Sequence, residues 1–282
     1  MNVYFGSSST AWSVSRIVTA LDAHLPFGMT RVHRVDDADL VVLHVTGRNE
    51  HITREAVQLK LDGHEYAVIQ YALKSTRNPN LGDWKKLWDG AKCVWSYYDL
   101  KGANIPNFYH APLGPGSDLF YPQEVEKKYL VGTTGNCYQA ECIGEVHMAA
   151  WSAGGRAVHI GEKFQDNPIV DYLTGISDDS LRSVVNSCKY FACLRRKEGF
   201  EMPAVEALLC GVRPIMFDTP NYRQWFDKLA LFIPEGGIAE TSERLRRIFK
   251  QVPTMVTADE IAETKRRFNW QTSVSGFWAR CL

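Results

Sequence analysis

The chain has 282 residues, 45% of them hydrophobic and 23% charged, with 32 basic and 32 acidic side chains that leave a formal net charge of zero. That length allows two modest domains. The charge balance gives no global field for nucleic acid or acidic membranes, and no apolar run approaches the roughly 18 residues of a membrane span. The N-terminus carries no signal-peptide pattern, and the seven cysteines form no C-x-x-C pair, so reduced thiols of a cytoplasmic protein are expected.

In chain order, Met1–Phe5 is a short apolar strand, broken by Gly6-Ser7-Ser8-Ser9-Thr10 and followed by a helical pattern through Trp12, Ile17, Val18 and Leu21. The Ser/Thr run can cap that helix or line a site, and both readings stand. Asp37-Ala38-Asp39 precedes the strand Leu40–Val45, which carries His44. A helix about 52–61, a strand 66–70, a helix near Trp84–Trp88 and a strand near Cys93–Trp95 continue the alternation. Strands alternating with helices predict a parallel sheet covered on both faces. The stretch from Asn107 to Pro122 is dense in proline and glycine, as an interdomain linker is.

The second half predicts a strand at Tyr129–Val131, the loop Gly132-Thr133-Thr134-Gly135-Asn136, a helix about 140–151 and a strand at Arg156–Ile160. Ser177 caps a helix through Leu181, Val184 and Val185, which leads to a buried strand over Tyr190–Leu194. That strand empties into Arg195-Arg196-Lys197-Glu198-Gly199-Phe200-Glu201. Pro203 suits a first helical turn and Gly211 the left-handed position past a helix end. A helix N-terminus aimed at a loop is a ready anion site. Glu198 and Glu206 frame it, and a carboxylate can accept two hydrogen bonds from a cis-diol, as an acidic residue does for ribose in dinucleotide folds. An ordinary strand–loop–helix is the alternative reading of this segment alone.

As a whole, Glu-Gly-Phe-x-x-Pro-x-x-Glu-Ala-x-x-Cys-Gly, with Glu198 and Glu206 as E-x7-E, resembles the donor-site signature of the retaining GT4-type (group 1) glycosyltransferases. The segment Pro112-Leu113-Gly114-Pro115-Gly116-Ser117-Asp118 with Phe120 and Pro122 resembles their interdomain link, and Phe268-Asn269-Trp270 resembles the start of their last helix. The resemblance covers residues 107–282 well and the first part by architecture.

It implies an α/β GT-B fold: two Rossmann-like domains facing a cleft, 1–118 on the acceptor side and 119–267 for the donor. A C-terminal helix, 268–282, crosses back to the first domain. It implies a retaining, metal-independent hexosyl- or pentosyltransferase that needs no cofactor beyond a nucleotide-diphosphate sugar as co-substrate. Glu206 would hold the ribose. Glu198 would be catalytic, holding sugar hydroxyls as the glycosidic bond lengthens. Gly199, Phe200, Glu201, Arg196, Lys197, Gly132 and Lys163 would line the donor site, and Ser7, Ser8, His44 and Tyr71 the acceptor side. The acceptor stays open between a saccharide, a lipid-linked sugar and a modified DNA base, with host cytoplasm as the compartment for a viral enzyme. A nucleotide-sugar epimerase and a non-catalytic nucleotide-sugar binder are the alternatives.

Three departures from the family pattern stand out. Gln70 and Tyr71 occupy the place of the family's donor-sugar histidine, leaving His44 and His110 as alternatives. Residues Cys137 to Glu141 lack the Arg and Lys that hold the diphosphate, so Arg195, Arg196, Lys197 or Lys163 would replace them. Glu201 stands where the family has glycine. Asp37-Ala38-Asp39 matches the metal-binding Asp-x-Asp of GT-A enzymes but precedes its strand instead of following it, and is read as a polar turn.

Overall fold

The computed structural model describes residues 1–6, 12–46, 51–73, 81–116, 118–196 and 199–282, with the backbone alone at 12, 13 and 81–83. The chain separates into two units, Met1–Leu113 with Trp270–Leu282, and Gly114–Asn269.

The first unit runs β1 (Asn2–Gly6), α1 (Trp12–Ala23), β2 (Thr30–Val32), β3 (Leu40–Val45), α2 (Ile52–Leu61), β4 (Glu65–Gln70), α3 (Leu81–Asp89), β5 (Val94–Ser96) and β6 (Phe108–His110). Its six strands are all parallel, in the order β2-β1-β3-β4-β5-β6. Central β3 is buried at every residue, as its unbroken apolar run requires of a strand covered on both faces. The Asp37-Ala38-Asp39 segment is a polar turn in which the Asp39 carboxylate accepts the Asn2 amide at 2.6 Å.

The second unit contains β7 (Tyr129–Gly135), α4 (Ile143–Ser152), β8 (Ala157–Gly161), β9 (Val170–Leu173), α5 (Asp178–Asn186), β10 (Cys188–Cys193), α6 (Met202–Leu209), β11 (Arg213–Phe217), α7 (Pro220–Phe226), β12 (Leu231–Ile233), α8 (Ile238–Phe249) and α9 (Ala258–Arg267). Its parallel sheet has the order β12-β11-β10-β7-β8-β9. Local chemistry sets the element ends. The Ser177 hydroxyl accepts the Ser180 amide at 3.2 Å to cap α5, and Pro203 sits in the first turn of α6. Gly211, at φ 74°, follows that helix in the left-handed conformation. Arg213 on β11 is 6% exposed and meets Glu260 of α9 through two contacts of 2.7 and 2.9 Å, which fastens that helix to the sheet.

The last helix, α10 (Trp270–Cys281), belongs to the first unit. Its Trp278 packs 6.2 Å from Phe5 and its Phe277 5.6 Å from Trp95, measured between ring centroids. Gly276 lets the Tyr109 ring lie against the helix, since a Cβ there would overlap the phenol, and the Arg280 guanidinium covers the same ring at 4.3 Å.

Candidate functional site

Numbered from β7, the second sheet has the strand order 3-2-1-4-5-6. The chain leaves β7 toward β8 and leaves β10 the opposite way toward β11, and right-handed crossovers carry the following helices to opposite faces. The crevice at the C-terminal ends of β7 and β10 is therefore the topological switch point, where open α/β sheets bind their ligands. The described loop residues found there are 136–142, 194–196 and 199–201.

Six contacts tie these loops and the elements beside them together. The Arg196 amide donates to the Ala140 carbonyl at 3.1 Å. The Arg195 guanidinium reaches Glu141 at 3.1 Å and the buried Glu201 at 3.4 Å. Arg196 reaches Glu145, in the first turn of α4, at 3.3 Å and Glu235 at 3.0 Å. The Glu141 carboxylate also accepts the Cys137 amide at 2.8 Å, closing the loop over Gly135. Gly135, at φ 141°, is required there because a Cβ would overlap that carboxylate.

Glu201 is 2% exposed and accepts or shares a hydrogen bond with the Tyr222 hydroxyl of α7 at 3.1 Å. Burial pushes its carboxyl above the ordinary value, with Arg195 and the Tyr222 bond opposing and Glu141 adding. Glu206, 2% exposed, lies one turn into α6 and acts electrostatically on the thiols of Cys193, at the end of β10, and Cys210, just past α6. Burial above all, with Glu206 adding, raises Cys210 to about 12 and Cys193 well above its ordinary value, so neither is a nucleophile.

Behind the β7 loop, the Nδ1 atom of His159 lies 2.9 Å from the Thr133 hydroxyl and its Nε2 3.2 Å from the Gly135 carbonyl. A carbonyl can only accept, so Nε2 carries the hydrogen and Nδ1 accepts from Thr133. This network fixes the carbonyl at the end of β7.

The candidate residues separate by place. Gly199 and Phe200 are buried in the loop ahead of α6. The Phe200 ring packs 5.5 Å from Phe226 and 5.6 Å from Phe268, so its side chain anchors the loop in the core. The loop reading of Gly132 is corrected: it lies inside β7, paired with Phe191 and Val158, where a Cβ would strike the Phe191 ring. The run Gly-Thr-Thr lacks apolar side chains and reads as a loop, but a strand covered by Phe191 needs none at that point. Lys163 sits in the exposed segment after β8, paired with Asp166. Arg196 is clamped by Glu145, Glu235 and the Gly236 carbonyl. Lys197 and Glu198 lie outside the described residues, as do Ser7 and Ser8.

In the first unit, His44 and Tyr71 come together at the ends of β3 and β4. Their rings stack at 5.8 Å and share a hydrogen bond of 2.7 Å. Burial lowers His44 to about 4 and raises Tyr71, so the pair is neutral near pH 7. The Tyr71 carbonyl accepts from the Tyr97 hydroxyl. Gln70 turns inward instead, accepting the Trp88 indole N–H at 3.0 Å.

Sequence reading offers Arg195 as a diphosphate ligand but misses its pairing with Glu141 and Glu201, and misses Glu145 and Tyr222. The signal was present as two glutamates four apart and two adjacent arginines, but it becomes legible only once β7 and β10 are known to be neighbours.

No protein-family model matches the chain. Over 110 residues, 36% of its length, it is 30% identical to the GDP-mannose:cellobiosyl-diphosphopolyprenol alpha-mannosyltransferase of Xanthomonas oryzae pv. oryzae (strain PXO99A), and it spans 28% of that relative. Among solved structures, Anabaena Alr3699/HepE in complex with UDP and glucose superposes with a TM-score of 0.76 at 10% identity, covering 99% of this chain and 98% of that one. The sucrose-phosphate synthase from Thermosynechococcus elongatus gives a TM-score of 0.67 at 13% identity, covering 86% and 72%. The chain has the GT-B fold of these glycosyltransferases, and its sequence resembles their GT4-type (group 1) family.

Proposed function

We propose that the chain is a retaining glycosyltransferase that moves a sugar from a nucleotide-diphosphate donor to an acceptor hydroxyl. The observation that carries this reading is the Glu198-x7-Glu206 strand–loop–helix at the switch point of the second sheet. The mannosyltransferase name of the relative and the UDP in the HepE complex support a sugar-nucleotide donor.

The ribose diol pairs with Glu206, whose burial makes any unmatched hydroxyl costly. The diphosphate lies against the backbone amides of the loop and of the first turn of α6. Pro203 has no amide to offer and the Ala204 amide donates to the Glu201 carbonyl at 3.2 Å, so Gly199 to Met202 supply them. These amides and the helix dipole stabilise the charge that grows on the departing diphosphate. Glu198 holds the sugar hydroxyls and gains strength as positive charge builds on the ring. The acceptor attacks on the leaving-group face, an internal return that preserves configuration without a protein nucleophile. Metal independence and the retaining outcome rest on the family resemblance. Of the acceptor classes, the diphosphopolyprenol-linked saccharide in the relative's name favours a lipid-linked sugar.

The test is incubation with radiolabelled UDP-glucose and GDP-mannose against a panel of lipid-linked and free saccharides. Label in a larger product, with retained anomeric configuration, is expected. Conversion of the sugar nucleotide to its epimer without an acceptor would identify an epimerase instead. Saturable binding with no turnover on any acceptor would favour a binding module.

A further inference from the structure

Glu201 is a buried carboxyl group placed where an anionic ligand is expected, at the position immediately ahead of α6. Charge and geometry at this point disagree with a plain anion cradle. Arg195 is the cation that spans the two switch-point loops, yet it faces Glu141 at 3.1 Å and Glu201 at 3.4 Å. The second distance exceeds that of a strong hydrogen bond, so Glu201 holds Arg195 loosely.

The hydrogen count around Tyr222 is informative. Its hydroxyl lies 3.1 Å from both the Arg195 carbonyl and the Glu201 carboxyl. A phenol has one hydrogen to donate. With Glu201 ionised, that hydrogen serves one acceptor at a time. With Glu201 neutral, its own O–H donates to the phenol oxygen while the phenol donates to the Arg195 carbonyl, and both contacts are hydrogen bonds.

We propose that Glu201 is a positioning residue for the donor: it keeps Arg195 at the mouth of the loop and yields it to the diphosphate by taking one proton from solvent. The inference rests on the donor reading above. No covalent bond changes; the proton moves from water to a Glu201 oxygen, and the Arg195 charge moves from carboxylate to phosphate. The groups facing Glu201 are Arg195 in its own loop, Tyr222 on α7, Glu141 from the β7 loop and Cys193 at the end of β10. Burial already favours the neutral acid, and losing Arg195 removes the strongest effect opposing it.

The direction with pH follows by linkage. At low pH Glu201 is already neutral and donor binding needs no proton. As pH rises past the value of the free protein, binding must take one up, and affinity falls by up to about tenfold per pH unit.

The experiment is calorimetric titration of the wild-type protein with UDP-glucose and with GDP-mannose, whose esterified diphosphates have no ionisation of their own near neutrality. It is run from acidic to alkaline pH in two buffers of different ionisation heat. Uptake of up to about one proton per donor is expected, together with weakening at high pH. Glu201→Gln should abolish both and bind at neutral pH at least as tightly as wild type. Arg195→Gln should also bind without proton uptake, but more weakly at every pH. Binding by wild type with no proton uptake overturns the proposal and leaves the donor reading intact, as does a Glu201→Gln protein that keeps the wild-type pH profile. Absence of saturable binding to either sugar nucleotide overturns the donor reading and this inference with it.

Discussion

At the scale of single residues, the proposed reaction gives the two glutamates of the donor motif separable roles. Glu198→Gln keeps size and some hydrogen bonding but removes the charge that tightens toward the transition state. It should lower kcat with little change in KM, while donor affinity stays near wild type. A lowered Tm with unchanged kcat would instead assign Glu198 to structure, and both are measured on one preparation. Much of this site is legible in the sequence because E-x7-E, Pro203 and Gly211 each state a backbone or charge requirement locally. The partners of Arg195 and Arg196 are not legible in the same way. Glu141 and Glu145 lie some fifty residues earlier in the chain, and only the pairing of β7 with β10 brings them near. Phe200 reads as a site residue from its place in the motif, whereas its ring is held by Phe226 and Phe268.

At the scale of elements, the clearest joint is Arg213 of β11 with Glu260 of α9. The Arg213 side chain, above all, holds the Glu260 carboxyl down to about 2, with the Thr257 amide and hydroxyl helping. A depressed acid contributes stability that is present above its unfolded value and lost as pH falls through the folded one. Wild type should therefore lose this contribution between about pH 4.5 and 2. Glu260→Gln leaves a 6%-exposed guanidinium without its counter-charge. The variant should be less stable by about 3 kcal/mol at neutral pH, and the gap should close as pH falls through that window. Chemical denaturation at pH 7 and at low pH reads both effects, and a constant gap would show that the ion pair is not the source. Long buried strands such as β3 and β10 are evident from apolar runs, and α5 and α6 from their caps. Strands β2 and β9 escape detection because each is three or four residues at a sheet edge, half-exposed, with too few side chains to set a period. Strand β7 runs past its apolar part, through Gly132 to Gly135, because β10 pairs with it as far as Thr133 and β8 as far as Gly135.

At the scale of the whole chain, alternating strands and helices predict parallel sheets, and both sheets are parallel throughout. The strand orders are not in the sequence, since a sheet order is a matter of which strands meet after the crossovers. The second sheet's order is what turns a recognisable motif into a located site, by placing it at a switch point. Every role assigned to the motif depends on a sugar nucleotide binding there with its ribose on Glu206. The most direct test is calorimetric affinity for UDP-glucose and GDP-mannose in wild type and Glu206→Ala, with Tm measured alongside to confirm folding. A folded variant that binds roughly tenfold to a hundredfold more weakly is expected, because the ribose hydroxyls lose a buried acceptor worth about 1–3 kcal/mol. A folded variant with unchanged affinity would contradict the placement of the donor at this site.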